Sequence, residues 1–411
     1  MPHVLSSLAG AQLADPGFWA GRWRGRFDPG PPEAVNPRLA ERSQALWNPL
    51  ELGPLPADRI GEWIEAARVP DDWWAVLDGR PVDERTRAEA YARLNLAGLR
   101  PFKGDRYGIA LVRANLRALP TDARGHKPRD EDGFDRLQHT ALEPLTPLAL
   151  LHPSRDGAWW FVQAPDYRGW VRARELAWTE LPGEIANLLA QPGPVLLSPT
   201  AGLETATGRT TLQMGSRLPG LRGGMLAYPA RDEHGELLWS KARLAGAPEL
   251  AGEPPAPTTA AFFARALAPL GRPYGWGGLS PAGPALDCSR FVQDVFKVFG
   301  YRLPRDASAQ CRATRPALTF DAAEPHEVRA RKLADLGTGP AILCMPGHVM
   351  LYLGEVEGCH HAVHAFWAYK RPENGGEATA AVRRVVVTSL DLGRGSAAGS
   401  LLERLTSVNL L

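Results

Sequence analysis

Cys288 and His348 are the residues best suited to covalent chemistry. Cys288 ends a stretch that opens at Tyr274 and runs through Gly275, Gly277, Gly278, Pro281, Gly283, Pro284 and Asp287, a composition suited to a tight loop. After it, Phe291, Val292, Val295, Phe296 and Phe299 recur at helical spacing, and Gly300 stands where a C-cap belongs. Cys288 is therefore expected in the first turn of a helix, where the positive end of the dipole favours a thiolate. Downstream, the run from Gly347 and His348 to Gly354 offers a histidine at the start of a strand. A thiol on a helix N-terminus facing an imidazole on a strand is the layout of a cysteine hydrolase, with an imidazolium stabilising the thiolate. His348 would serve as general base and then as acid to the leaving amine. A third polar group must hold the imidazole in one tautomer.

The elements that position these residues come last in the chain. A segment rich in Pro and Gly over residues 247–257 reads as a linker. Thr258 or Thr259 then caps a helix, followed by the cysteine helix and strands over 341–344, 348–353, 361–366 and 382–387. This is an α+β layout. Residues 1–95 read as a mainly helical domain or clamp. Its expected helices cover 37–46 (Asn36 as N-cap, Pro37 in first position), 58–67 (Asp58 as N-cap) and 83–94. Six of the 13 tryptophans lie there (Trp19, Trp23, Trp47, Trp63, Trp73 and Trp74), as core and interdomain packing or as a grip on a neighbouring domain or glycan. Residues 96–180 alternate in short stretches between turn signals, with strands at 109–112, 148–152, 159–163 and 169–173, and read as a small all-β barrel. Residues 181–246 read as a second, more degenerate copy, with strands at 195–197, 210–214, 218–221, 225–230 and 237–241.

At 411 residues the chain exceeds one ordinary core, and its net charge of +2 speaks against a nucleic-acid binder. No apolar run approaches the roughly 18 residues of a membrane span. The first residues lack a basic and then apolar signal pattern, so the expectation is a cytoplasmic protein, or a periplasmic or secreted one if a leader has been removed. The four cysteines (Cys288, Cys311, Cys344 and Cys359) form neither paired zinc motifs nor a dense disulfide framework. Free thiols are expected, with Cys311 and Cys344 as apolar core residues. The run Cys359, His360, His361 and His364 alternates across a strand and lacks a second cysteine or carboxylate in motif spacing, so no metal is expected.

Residues 258–411 resemble the NlpC/P60 family of cysteine peptidases. The resemblance rests on Arg272-Pro-Tyr274-Gly-Trp276-Gly-Gly, Leu286-Asp287-Cys288-Ser289, Leu303-Pro-Arg-Asp306 with Gln310, Gly347-His348-Val, and Ala362-Val-His364-Ala. The pattern from Val112 to Pro120, with Trp159–Gln163 and Tyr167–Val171, resembles bacterial SH3-type (SH3b) domains. The resemblance implies a papain-like α+β catalytic domain over 258–411 behind two SH3b-like domains, 96–180 and 181–246, and a helical N-terminal domain, 1–95. It implies a catalytic triad of Cys288, His348 and His364, with His360 as the alternative third member. On strand alternation 360 and 364 share a face, and 361 points away. It further implies that Tyr274, Asp287 and Ser289 bind the free amine of an N-terminal L-Ala. Asp287 has a second reading as N-cap of the cysteine helix. Arg290 reads as a contact to a substrate carboxylate or as a solvated helix residue. The first SH3-like module is expected to wall one end of the cleft, with the acidic loop 129–136 as its candidate edge.

The implied activity is hydrolysis of the γ-D-glutamyl-diamino acid bond (diaminopimelate or Lys) in peptidoglycan stem peptides, through an acyl-enzyme and without a cofactor. The implied partner is a peptidoglycan-derived L-Ala-γ-D-Glu-diamino acid peptide, met by a monomer. The alternative is a wall-binding SH3b protein with weak catalysis, or an amidase or acyltransferase on the same fold.

Overall fold

A computed structural model of the protein describes residues 4–5, 11–23, 28–43, 48–128, 130, 134–280, 283–336, 340–373 and 376–411. The chain divides into two units, one made of residues 1–44, 254–275 and 285–411, the other of 45–253 and 276–284.

The first unit is built on a seven-stranded sheet. Its strands are β1 (Val4–Leu5), β2 (Arg315–Thr319), β3 (Ile342–Met345), β4 (His348–Val356), β5 (Cys359–Glu373), β6 (Gly376–Ser389) and β7 (Ser407–Leu410). They lie in the order β1-β6-β5-β4-β3-β7-β2, antiparallel except for β1 beside β6. In the β3–β4 hairpin Met345 pairs with His348, which leaves Pro346 and Gly347 as a two-residue turn. Gly347 takes φ +72°, a region that glycine enters without penalty. The turn thereby fixes His348 as the first residue of β4.

Among the described residues six α-helices accompany the sheet: α1 (Pro16–Arg22), α2 (Pro32–Ser43), α3 (Thr259–Leu267), α4 (Cys288–Val298), α5 (Ala307–Ala313) and α6 (His326–Ala334). Thr258 caps α3 through the Ala261 N–H, as expected. Helix α4 is the expected cysteine helix. Asp287 caps it, accepting the Arg290 N–H at 2.8 Å, and Gly300 follows with φ +86°. Phe291, Val292, Val295 and Phe296 are all buried, each contributing roughly 1.5–3 kcal/mol of hydrophobic free energy. That apolar face holds the start of α4 against β4 and β5.

Two expectations for this unit fail. Helix α2 starts at Pro32, so Pro37 lies inside it and Asn36 is not its cap. The Asn36 side chain instead donates to the Gly300 carbonyl (2.9 Å) and accepts the Arg302 N–H (2.8 Å), trading a capping role for a tertiary one. The expected end of that helix at 46, and Trp47, lie outside the described residues. Cys311 in α5 and Cys344 in β3 are not free core thiols. They form a disulfide with a Cα–Cα distance of 6.1 Å. A separation of 33 residues carries no local pairing cue, and only the packing of α5 beside β3 brings the two together.

In the second unit, seven strands assemble the first β module in the order Leu176–Thr179, Tyr107–Ala110, Pro147–Pro153, Trp159–Gln163, Arg168–Arg172, Ala114–Arg117, Gln138–Leu142. Ile109, Leu116, Leu148, Phe161, Val162, Trp170 and Val171 fill it. The second module has a four-stranded sheet in the order Gly208–Gln213, Thr200–Thr205, Leu237–Ala245, Met225–Arg231. Thr200–Thr205 escaped the sequence reading because Gly202 and Glu204 interrupt its apolar pattern, while 218–221 is a turn and not a strand. The expected linker is partly structured, since Leu250–Ala251 pairs with Val195–Leu196. The 1–95 segment is not one body, because residues 1–44 belong to the first unit and 45–95 to the second. There the expected helices appear as Ala57–Ala66, with Pro56 and not Asp58 at its N-cap, and Glu84–Ala92 capped by Asp83. Trp19 and Trp74 are fully buried, each inside its own unit.

Candidate active site

The site forms where the first turn of α4 meets the first residues of β4. Cys288 is the first helical residue, and the backbone N–H groups of Val349, the neighbour of His348, and of Ser289 act on its thiol to favour the thiolate. His348 is half-buried. Its Nε2 lies 2.6 Å from Nδ1 of His364 on β5, and His364 Nε2 lies 3.0 Å from Oγ1 of Thr388 on β6. Three adjacent strands thus carry one hydrogen-bonded file: His348, His364, Thr388. Phe366 stacks on the His364 ring, with centroids 4.4 Å apart, and shields it.

His360 shares the strand face of His364 but sits about 13 Å away along β5, at roughly 3.3 Å per residue. It is bonded to the Tyr352 hydroxyl (2.7 Å) and faces the Ala330 carbonyl (2.9 Å). His361 points away, against Trp19. Of the two alternatives, His364 is the one that meets His348. Among the described residues, no group of three or more His, Cys, Asp or Glu side chains is arranged to hold a metal ion.

Burial dominates the electrostatics. It pushes the Cys288 thiol up to about 12, with the Asp287 charge adding to the effect against weaker help from the Val349 and Ser289 N–H groups. It pushes His348 down to about 3 and His364 well below the ordinary imidazole range. Both shifts run against the thiolate–imidazolium pair, and burial is their largest cause. The helix terminus supplies oriented N–H groups, but the removal of water outweighs them.

Asp287 is buried, and burial pushes its carboxyl up. The Arg305 charge and hydrogen bonds, joined by the Arg290 N–H, more than offset this and hold it below the usual carboxylate range. Arg305, only 3% exposed, grips both carboxylate oxygens and donates to Ser289 Oγ at 2.9 Å. Ser289 Oγ in turn bonds Asp287 Oδ1 at 3.2 Å. Gln310 ties the helix start down further, donating to the Ser289 carbonyl (2.8 Å) and the Pro304 carbonyl (2.9 Å). Arg290 fits neither expectation. It is buried and paired with Asp294 at 2.7 Å, one turn along α4. Tyr274 is buried, its ring 5.4 Å from that of Trp367 and its N–H bonded to the Arg383 carbonyl.

Residues 276–284, in the middle of the loop that begins at Tyr274, belong to the second unit. There Trp276 Nε1 donates to the Gln138 carbonyl (3.1 Å), and Arg113 donates to the Gly278 carbonyl (2.8 Å). Gly277 takes φ +63°, and a Cβ on it would stand 2.4 Å from Gln138 Cγ, so only glycine fits this approach. In the acidic loop, Arg129 and residues 131–133 lie outside the described residues. Asp130 is held bidentately by Arg136, and Asp135 pairs with Arg117 and accepts the Gly125 and Leu137 N–H groups.

Sequence reasoning gave no role to Arg305, Trp367 or Thr388. Arg305 stood in the quoted Leu303–Asp306 motif, and a buried Asp at a helix cap calls for a cation. For Thr388 and Trp367, a β-strand pattern alone carries no such signal.

Residues 271–378 match the NlpC/P60 family, and residues 125–172 match the SH3 domain of SH3b1 type. A 55-residue stretch is 49% identical to the gamma-D-glutamyl-L-lysine dipeptidyl-peptidase of Bacillus subtilis (strain 168), covering 13% of this chain and 16% of that one. A 150-residue stretch is 27% identical to the protein of the same name from Bacillus cereus (strain ATCC 10987 / NRS 248), covering 36% and 44%. The chain thus matches less than half the length of either relative. An NlpC/P60 endopeptidase from Photobacterium damselae subsp. piscicida superposes with a TM-score of 0.70 over 94% of this chain and 92% of that one, at 19% identity, a likeness of fold.

Proposed function

We propose that this chain, which carries an NlpC/P60 domain and an SH3b module, is a cysteine endopeptidase cleaving the γ-D-glutamyl-diamino acid bond of peptidoglycan stem peptides. The observation that carries the reading is the hydrogen-bonded file His348, His364, Thr388 on three neighbouring strands, with Cys288 at the start of the helix packed on them. The two Bacillus relatives, named for γ-D-glutamyl-L-lysine, supply the bond.

In this reading Cys288 is the nucleophile and His348 the base. With Nε2–H of His348 donated to His364 Nδ1, and Nε2–H of His364 donated to Thr388, the other ring nitrogen of His348 keeps a free lone pair. The thiol proton moves to that nitrogen as sulfur attacks the carbonyl carbon. The imidazolium so formed is stabilised by the neutral His364 acceptor, then returns the proton to the leaving amine. The thioester that remains is hydrolysed by water, with His348 again taking the proton. N–H groups at the start of α4 have no intrahelical partners and are available to the oxyanion.

Amine recognition rests on Tyr274, Asp287 and Ser289. Arg305 already neutralises Asp287, so an L-Ala ammonium has to use the remaining lone pair of Oδ2 in an environment without net charge. The Cys311–Cys344 bond supports an oxidising compartment over the cytoplasm. The test is digestion of L-Ala-γ-D-Glu-diaminopimelate with its amine free and acetylated. Release of diaminopimelate at least ten-fold faster from the free form is expected. Equal release would end the amine requirement, and no release from either would end the peptidase reading.

A further inference from the structure

The second unit contains a cavity of about 340 Å³ lined by Arg106, Leu150, Trp160, Leu176, Trp178 and Arg231, within the usual range of about 300–1,000 Å³ for small-ligand sites. It lies where the strand Leu176–Thr179 of the first module meets the turn 232–236 of the second. The Trp178 N–H bonds the Gly235 carbonyl (2.9 Å), and the indole N–H bonds the His234 carbonyl (3.2 Å). The Arg106 guanidinium stands between two indoles, its carbon 5.1 Å from the Trp160 ring centre and 5.3 Å from that of Trp178. We propose that this pocket binds a carboxylate-bearing ligand that lays an apolar ring or chain face on the indoles.

The charge balance is what points to an anion. Among the described residues neither Arg106 nor Arg231 has a carboxylate partner. Arg231 spends one N–H on the Ala173 carbonyl, and the Nε of Arg106 is buried with no acceptor. A buried donor without a partner is rare and costly, and the side chain that carries it lines the cavity. Stacking on indoles satisfies the face of a guanidinium but not its N–H edge. The nearby acids are turned elsewhere. Asp232 accepts the His234 and Glu236 N–H groups, and Glu233 reaches His234. Gly235 leaves the floor open. With φ +87°, a Cβ there would stand 2.9 Å from Arg231 Nη2 and 3.3 Å from Trp178. A carboxylate matches the guanidinium edge, and the indole faces match the C–H face of a sugar or a short aliphatic chain.

Two wall fragments carry that chemistry, an amino sugar with a lactyl carboxylate and a stem peptide. Their choice as probes rests on the proposed peptidoglycan activity, while binding itself is read independently of hydrolysis. The test is calorimetric titration of the full chain carrying Cys288→Ala with N-acetylmuramic acid, with L-Ala-γ-D-Glu-diaminopimelate, and with N-acetylglucosamine, which has the ring without the carboxylate. At least one acid should bind, at least ten-fold more tightly than N-acetylglucosamine, and should lose at least ten-fold when Arg106→Gln or Arg231→Gln is added. Whichever acid shows that loss identifies the source. Cleavage of the tripeptide by the Arg106→Gln chain with Cys288 intact should keep its wild-type rate. Absence of binding by both acids, or binding unchanged in both arginine variants, overturns the proposal and leaves the peptidase reading standing.

Discussion

At the start of α4 every buried charge has its opposite beside it, whereas the Trp160–Trp178 pocket holds two guanidiniums with none. Arg305 and Asp287 close on each other, and so do Arg290 and Asp294, and these pairs hold the backbone of the cysteine turn in place. Arg106 and Arg231 line a cavity with no carboxylate paired to either among the described residues. A paired buried charge positions its neighbours. An unpaired one at a cavity wall is completed only by something from outside. The difference separates residues that build a site from residues that receive a ligand.

The comparison is broken most forcefully at Arg305. Replacing it by Met strands the Asp287 carboxylate and should cost about 3–5 kcal/mol in urea unfolding, whereas adding Asp287→Asn should return much of that loss. If Arg305→Met alone leaves stability unchanged, the pair is not structural. At the imidazole file, His364→Ala should lower kcat by about 10²- to 10³-fold with little change in KM, and His364→Gln should recover part of it. A pure rise in KM would instead assign His364 to substrate binding. The disulfide sharpens the contrast between the two units, because all four cysteines lie in the first. Cys311→Ala with Cys344→Ala should cost about 2–4 kcal/mol, read as a lower denaturation midpoint that added reductant does not shift further.

A further test concerns pH. His348 has its folded value near 3 against an ordinary 6.5, and His364 is shifted the same way. Below about 6.5 the unfolded chain takes up protons that the folded chain refuses until near 3. Stability is therefore full above 6.5 and declines as pH falls through that window. A melting-temperature series should show this slope, and His364→Gln should flatten it. A slope unchanged in the variant would mean that His364 is not held neutral by burial.

The first unit was largely legible because its signals are local. Helical spacing after Cys288, glycine at 300 and the Pro-Gly turn before His348 each specify a conformation within a few residues. Periodicity likewise gave the face shared by 360 and 364. What was not legible depends on long-range packing. Nothing near Cys311 points to Cys344. Pro37 reads as a helix start until Pro32 is seen to begin the helix earlier. The sequence also carries no measure of burial, which opposes the thiolate that a helix N-terminus favours. Arg106 and Trp178 are 72 residues apart and carry no motif, so their pocket emerges only from the fold.

The central claim is that Cys288 cuts the bond after γ-D-Glu. It is tested most directly by incubating L-Ala-γ-D-Glu-diaminopimelate with the full chain and with its Cys288→Ala variant, with products identified by mass spectrometry. The account predicts free diaminopimelate and L-Ala-D-Glu from the first, and a release rate at least 10³-fold lower from the second. Intact tripeptide in both samples, or equal release from the Cys288→Ala chain, would contradict it.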